Sequence, residues 1–240
     1  MKNPPILFIH GFRGSPAGLT EITDYFPGYK TYTPSIPPFG NSDPLTSYSI
    51  KSYANFIKKY IEEKKIEKPI LIGHSMGSII AAATASLYPD LVNEKIVFLA
   101  PISEKPPKSI ASLQPLSVIL PRKAVDKITT DYLFVPRKER AVYKKTIKTT
   151  HACSKTSAAK KDVLKAAKFS AKHSIAEFEL NKKILFLSGE KDRLIKKSKT
   201  INLARKYPDA KVIFLEKTGH LLNYEAPEKV AKIIKDFLSE

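Results

Sequence analysis

Gly73-His74-Ser75-Met76-Gly77 fits the pattern G-x-S-x-G, which presents a serine hydroxyl on a sharp turn between a strand and a helix. Pro69–Ile72 before it reads as a buried strand, and Ser78–Leu87 after it reads as a helix of small residues. The glycines let the chain turn tightly while the serine takes a strained conformation. The helix also points its amino terminus at the site, where it favours developing negative charge. Without chemistry, the same five residues would be a plain strand–helix turn.

A serine hydroxyl is a poor nucleophile until a base takes its proton. Of the five histidines, His10 and His74 adjoin glycine motifs and are poorly placed to act as that base, and His151 and His173 lie in the middle of the chain. His220, in Thr218-Gly219-His220, follows the last strand by a few residues and should project from the same carboxyl edge as Ser75, where open α/β sheets place their chemistry. A carboxylate must then fix the imidazole tautomer. Asp192, in Gly189-Glu190-Lys191-Asp192, is the first candidate, Glu190 the second and Glu104 a distant third. The structural alternative for Asp192 is turn or helix capping. An oxyanion needs two preorganised backbone N–H donors. Met76, directly after the serine, supplies one, and Phe12, in His10-Gly11-Phe12 after the first strand, is the natural second. His10 itself reads as a structural residue holding that loop. Nothing in this chemistry calls for a metal or cofactor.

The elements that must position these groups follow from hydrophobic patterning. Pro5–His10, Pro69–Ile72, Lys95–Ala100, Lys183–Ser188 and Lys211–Leu215 are strands, most with apolar residues in a row, as expected of strands buried on both faces. Tyr29–Thr33 is a weaker strand. Ser49–Ile66 predicts a helix with Ile50, Tyr53, Ile57, Tyr60 and Ile61 on one face. Asp162–Lys172, Ser198–Tyr207 and Pro227–Leu238 predict further helices, the last with proline in its first turn. Alternation at βα spacing implies an α/β fold with a mainly parallel sheet and helices on both faces. The expected organisation is a core of 1–100 and 181–240, with 101–180 inserted as a helical lid.

The 240 residues can bury a sizeable core. A net charge of +18 comes from 41 basic against 23 acidic residues, and lysine makes up all but six of the basic ones. Scattered lysine reads first as a solvated surface. No nucleic-acid module or aromatic-interleaved basic stripe is present, so nucleic acid is not an expected partner. The single cysteine, Cys153, cannot pair within the chain, which fits a reducing compartment. With no run long enough to span a membrane and no cleavable leader ahead of the first strand, the expected location is the cytoplasm.

The H-G near the start, G-H-S-M-G, G-x-x-D and G-H, in the order serine, acid, histidine, resemble the α/β-hydrolase fold superfamily. Pro38-Phe39-Gly40-Asn41-Ser42 looks like that family's loop after the next strand. The likeness covers Pro5–Ile102 and about Lys182–Glu240, with the intervening segment in the place of the family's variable lid. Such sheets commonly begin with two further strands, so about six are expected here, with Tyr29–Thr33 at or near an edge. The resemblance implies a serine hydrolase that cleaves carboxylic esters or related acyl compounds through an acyl-enzyme on Ser75. Serine at the elbow argues against the aspartate-nucleophile relatives, haloalkane dehalogenases and epoxide hydrolases. Thioesterase, lipase, amidase, carbon–carbon hydrolase and acyltransferase chemistry share the constellation, and a small-molecule-binding protein is the reading outside enzymes. The segment 101–180 holds 17 basic and 7 acidic residues. That excess is either solvated or meets an acidic partner, such as the acyl carrier protein of the similar biotin-pathway methyl-ester esterases, or an anionic lipid surface.

Overall fold

The computed structural model describes residues 3–105, 120, 124, 127, 131, 133–135, 148 and 158–240. Its strands are β1 (Ile6–Ile9), β2 (Thr31–Tyr32), β3 (Ile70–His74), β4 (Lys95–Leu99), β5 (Lys183–Gly189) and β6 (Lys211–Leu215). They form one sheet in the order β2-β1-β3-β4-β5-β6, and every neighbouring pair is parallel. The weak strand shrinks to two residues and lies at the edge, where it has one pairing partner. The order reverses between β1 and β3, so the carboxyl ends of these neighbours flank a topological switch point. The H-G loop leaves one of them and the serine turn leaves the other.

Side chains alternate across the sheet and are apolar on both faces. Leu7, Ile9, Leu71, Ile96, Phe98, Ile184 and Phe186 join one core cluster. Ile6, Phe8, Ile70, Ile72, Val97, Leu99, Leu185 and Leu187 join the other. This two-sided burial is why the strands read as apolar runs. The second cluster is covered by α1 (Thr20–Thr23), through Ile22, and by the C-terminal helix Pro227–Ser239, through Val230, Ala231, Ile234 and Phe237.

On the first face lie α2 (Ile50–Glu63) and α3 (Met76–Leu87). The Ser49 hydroxyl caps α2 by accepting from the Ser52 amide at 3.1 Å, and Tyr53, Ala54, Ile57 and Ile61 are buried. Ala81, Ala82 and Ala83 leave α3 close against the sheet. It begins at Met76, two residues before the patterned start, because Ser75 itself is the cap position.

Of the predicted lid, most of 106–157 lies outside the described residues, including His151 and Cys153. Its described C-terminal part is α4 (Lys160–Lys172), which packs Val163, Ala166 and Phe169 into the first cluster. The remaining α-helices of the described residues are, in chain order, α5 (Lys197–Ala204), α6 (Leu222–Glu225) and the C-terminal helix, α7 (Pro227–Ser239). Among the described residues, no helix is long and apolar enough to cross a membrane.

Candidate active site

Ser75 stands between β3 and α3 with φ 53° and ψ −119°, a region that costs a non-glycine residue energy and persists only when its surroundings enforce it. Its amide donates to the Leu99 carbonyl at 3.0 Å, which ties the turn to β4. Gly77 must be glycine, because a Cβ there would lie 2.1 Å from the Ile9 carbonyl oxygen of β1. Close approach of α3 to β1 therefore sets the turn.

His220 reaches Ser75 from the loop after β6. The Ser75 hydroxyl donates to His220 Nε2 over 2.9 Å, and His220 Nδ1–H donates to Asp192 Oδ2 over 2.8 Å. The second oxygen of Asp192 accepts from the Leu194 and Ile195 amides at 2.8 and 2.9 Å. One tautomer satisfies the whole chain of bonds, with the proton on Nδ1 and a lone pair on Nε2 facing the serine. All three residues are buried, so these bonds act in a low-dielectric setting. The arrangement can move a proton from a serine hydroxyl to an imidazole that a fixed carboxylate orients.

The two expected oxyanion donors lie beside this chain. Met76 is the first residue of α3, where amides have no intrahelical acceptor. The H-G loop abuts the serine, since a Cβ on Gly11 would be 3.0 Å from Ser75 Cβ. Phe12 follows, its ring edge-on to Phe39 at 5.2 Å. Neither the Phe12 nor the Met76 amide donates to a backbone carbonyl of a described residue.

The other candidates lie elsewhere. Glu190 is exposed and 3.5 Å from Lys197 Nζ, and Glu104 is ion-paired to Lys199. His173 follows α4 and bonds Glu177 at 2.9 Å. His10 braces the H-G loop: its Nδ1–H donates to the Gly11 carbonyl and its Nε2 accepts from the Ile36 amide, both at 2.9 Å. Burial lowers its pKa to about 4, so it stays neutral near pH 7.

Two contributors escaped the sequence reading. His74 donates from Nε2 to the His220 carbonyl at 3.0 Å, and burial, with His220 nearby, lowers its pKa to about 3. Glu225, buried at the end of α6, accepts from the Gly219 and Val135 amides. A lone glutamate between Leu221-Leu222 and Ala226-Pro227 was the available signal for the latter.

A family model for the alpha/beta hydrolase fold matches residues 4–124. Lipase 1 of Psychrobacter immobilis is 30% identical over 98% of this chain and 77% of that protein. Lipase 3 of Moraxella sp. (strain TA144) is 28% identical over 97% of this chain and 76% of that protein. Among solved structures, a bromoperoxidase from Bacillus anthracis superposes with a TM-score of 0.88 at 19% identity, covering 99% of this chain and 92% of the other. The esterase EaEST from Exiguobacterium antarcticum gives 0.87 at 15% identity, covering 100% and 93%. The chain belongs to the α/β-hydrolase fold family.

Proposed function

We propose that this protein is a serine hydrolase that cleaves carboxylic esters through an acyl-enzyme on Ser75. The observation that carries the reading is the unbroken chain from Ser75 Oγ through His220 to Asp192, with separations of 2.9 and 2.8 Å. The lipase names of two relatives that span nearly the whole chain favour esters as the substrate class.

In the first step His220 Nε2 takes the Ser75 proton as Oγ attacks the ester carbonyl carbon. Negative charge gathers on the carbonyl oxygen, which the amides of Phe12 and Met76 stabilise. His220 then gives its proton to the departing alcohol, and the acyl group stays on Ser75. Water repeats the sequence: its oxygen attacks the acyl carbon as His220 takes its proton, the bond from that carbon to Ser75 Oγ breaks, the carboxylic acid leaves, and His220 returns the proton to Oγ. Asp192 holds the tautomer and steadies the imidazolium without itself taking the proton.

Hydrolysis of p-nitrophenyl esters of increasing acyl length, with wild type beside Ser75→Ala, tests this. Activity should vanish in the variant, and the preferred length sizes the acyl pocket. A wild type no faster than Ser75→Ala on every ester would remove the reading. If the basic segment 101–180 meets an anionic substrate or partner, kcat/KM falls as salt is added. The lone Cys153 favours a cytoplasmic location, which cell fractionation would check.

A further inference from the structure

Glu225 is a carboxylate with little reason to be buried unless it acts locally. It is only 8% exposed, yet among the described residues no lysine or arginine pairs with it. Removing a carboxylate from water is costly unless its oxygens are hydrogen-bonded. Here both are: Oε1 and Oε2 each lie 3.1 Å from the Gly219 amide, and Oε2 is 3.3 Å from the Val135 amide. Gly219 precedes His220, while Val135 belongs to the inserted segment. The same segment holds His220 directly, because the His220 amide donates to the Leu133 carbonyl at 2.8 Å. Phe134 fills the space between, buried with Leu221 and Tyr224. One acidic side chain thus fastens two stretches of chain that enclose the backbone of His220.

We propose that Glu225 is a positioning residue for His220, fixing its loop against Leu133–Val135 and steadying the imidazolium with its negative charge. This rests on the reading of His220 as the base. His220 is faced by Asp192, His74 and Glu225, with His10 behind His74. Glu225 lies close enough to His220 for their charges to interact, and it lines a surface depression together with Glu216, Lys217, Glu228, Lys229 and Tyr25. Burial raises its pKa to about 7, against the opposing pull of the Gly219 and Val135 amides and of His220. The carboxylate is therefore charged at pH 8.5 and mostly neutral at pH 6.

The test compares wild type, Glu225→Gln and Ser75→Ala on p-nitrophenyl butyrate at pH 6 and pH 8.5, with Tm measured alongside. Glu225→Gln imitates the protonated acid. At pH 8.5 its kcat should fall about tenfold with KM within about twofold. At pH 6 the deficit should shrink to about twofold, because the wild-type carboxylate is by then protonated. A purely structural role gives a deficit independent of pH, and that result, or kcat unchanged at both pH values, overturns the proposal. If Glu225→Gln does not fold, wild type decides: the acid limb of kcat/KM must span two coupled titrations, and a single one overturns it. A wild type no better than Ser75→Ala defeats the Ser75 reading, and this one with it. An active wild type with an indifferent Glu225→Gln defeats this one alone.

Discussion

His74 Nε2 lies 3.0 Å from the carbonyl oxygen of His220, so the residue before the serine holds the backbone of the residue proposed to take the serine's proton. The contact joins the turn after β3 to the loop after β6, across 146 residues of sequence. Because burial keeps His74 neutral, it serves as an N–H donor and adds no charge beside the imidazole. His74→Ala should leave substrate binding nearly intact and lower kcat between about 10- and 100-fold, the range expected when a reacting group is misplaced by a fraction of an ångström to an ångström. Steady-state kinetics on a p-nitrophenyl ester would decide. An unchanged kcat would show that the remaining contacts, to Ser75, Asp192 and the Leu133 carbonyl, hold His220 without His74.

Asp192→Asn keeps the shape of the acid and removes its charge. An amide nitrogen facing Nδ1 would favour the tautomer with its proton on Nε2, where it blocks the serine. A loss of about 10⁴ in kcat is expected. Glu190→Gln should change kcat by less than about twofold, since exposed pairs such as Glu190–Lys197 contribute little. Comparable losses in the two variants would reassign the acid.

Much of this site is visible in the sequence because each part has a local signature. Buried strands appear as apolar runs, the elbow as G-x-S-x-G, and Asp192 as a carboxylate a fixed distance after a glycine turn. The helix boundaries drift by a residue or more because caps rather than hydrophobic period set them: Ser75 ends β3's turn and opens α3 together. Neither His74, which only adjoins the glycine motif, nor Glu225, marked only as a lone glutamate among apolar residues, carries a local signature of its role. Val135, one of the two partners of Glu225, and the His220 carbonyl, the partner of His74, lie 90 and 146 residues away, and only the assembled fold brings them near. Likewise α4 reads as part of a lid, yet its Phe169 packs 4.6 Å from Tyr53 of α2, a contact no local pattern specifies.

Gly77→Ala tests whether the elbow is set by close packing. The added methyl would meet the Ile9 carbonyl at 2.1 Å and the His10 carbonyl at 2.7 Å, and these belong to backbone that cannot rotate away as a side chain would. Separating α3 from β1 should cost about 3 kcal/mol or more, lowering Tm by roughly 10 °C for a chain of this size. A thermal melt within about 2 °C of wild type would mean that α3 has room to shift.

Stability should fall as the pH is lowered from 7 to 5, and Glu225 should blunt that fall. Burial lowers the pKa of His10 to about 4 and of His74 to about 3, from 6.5. The unfolded chain therefore binds protons at these positions before the folded one does. Their contribution is complete above pH 6.5 and is lost progressively below it, by about 2 kcal/mol each at pH 5. Glu225 has the opposite sign. Its pKa rises from 4.5 to about 7 on folding, so the folded state binds its proton first, which favours folding by about 2 kcal/mol over the same interval. The wild type should then lose about 2 kcal/mol and Glu225→Gln about 4, or roughly 6 and 12 °C in Tm. Melts at pH 7 and pH 5 read both numbers from the same two proteins. An equal fall in the two would mean that the buried carboxyl does not titrate in this range. A rise in wild-type Tm at pH 5 would mean that the buried histidines do not govern the acid response.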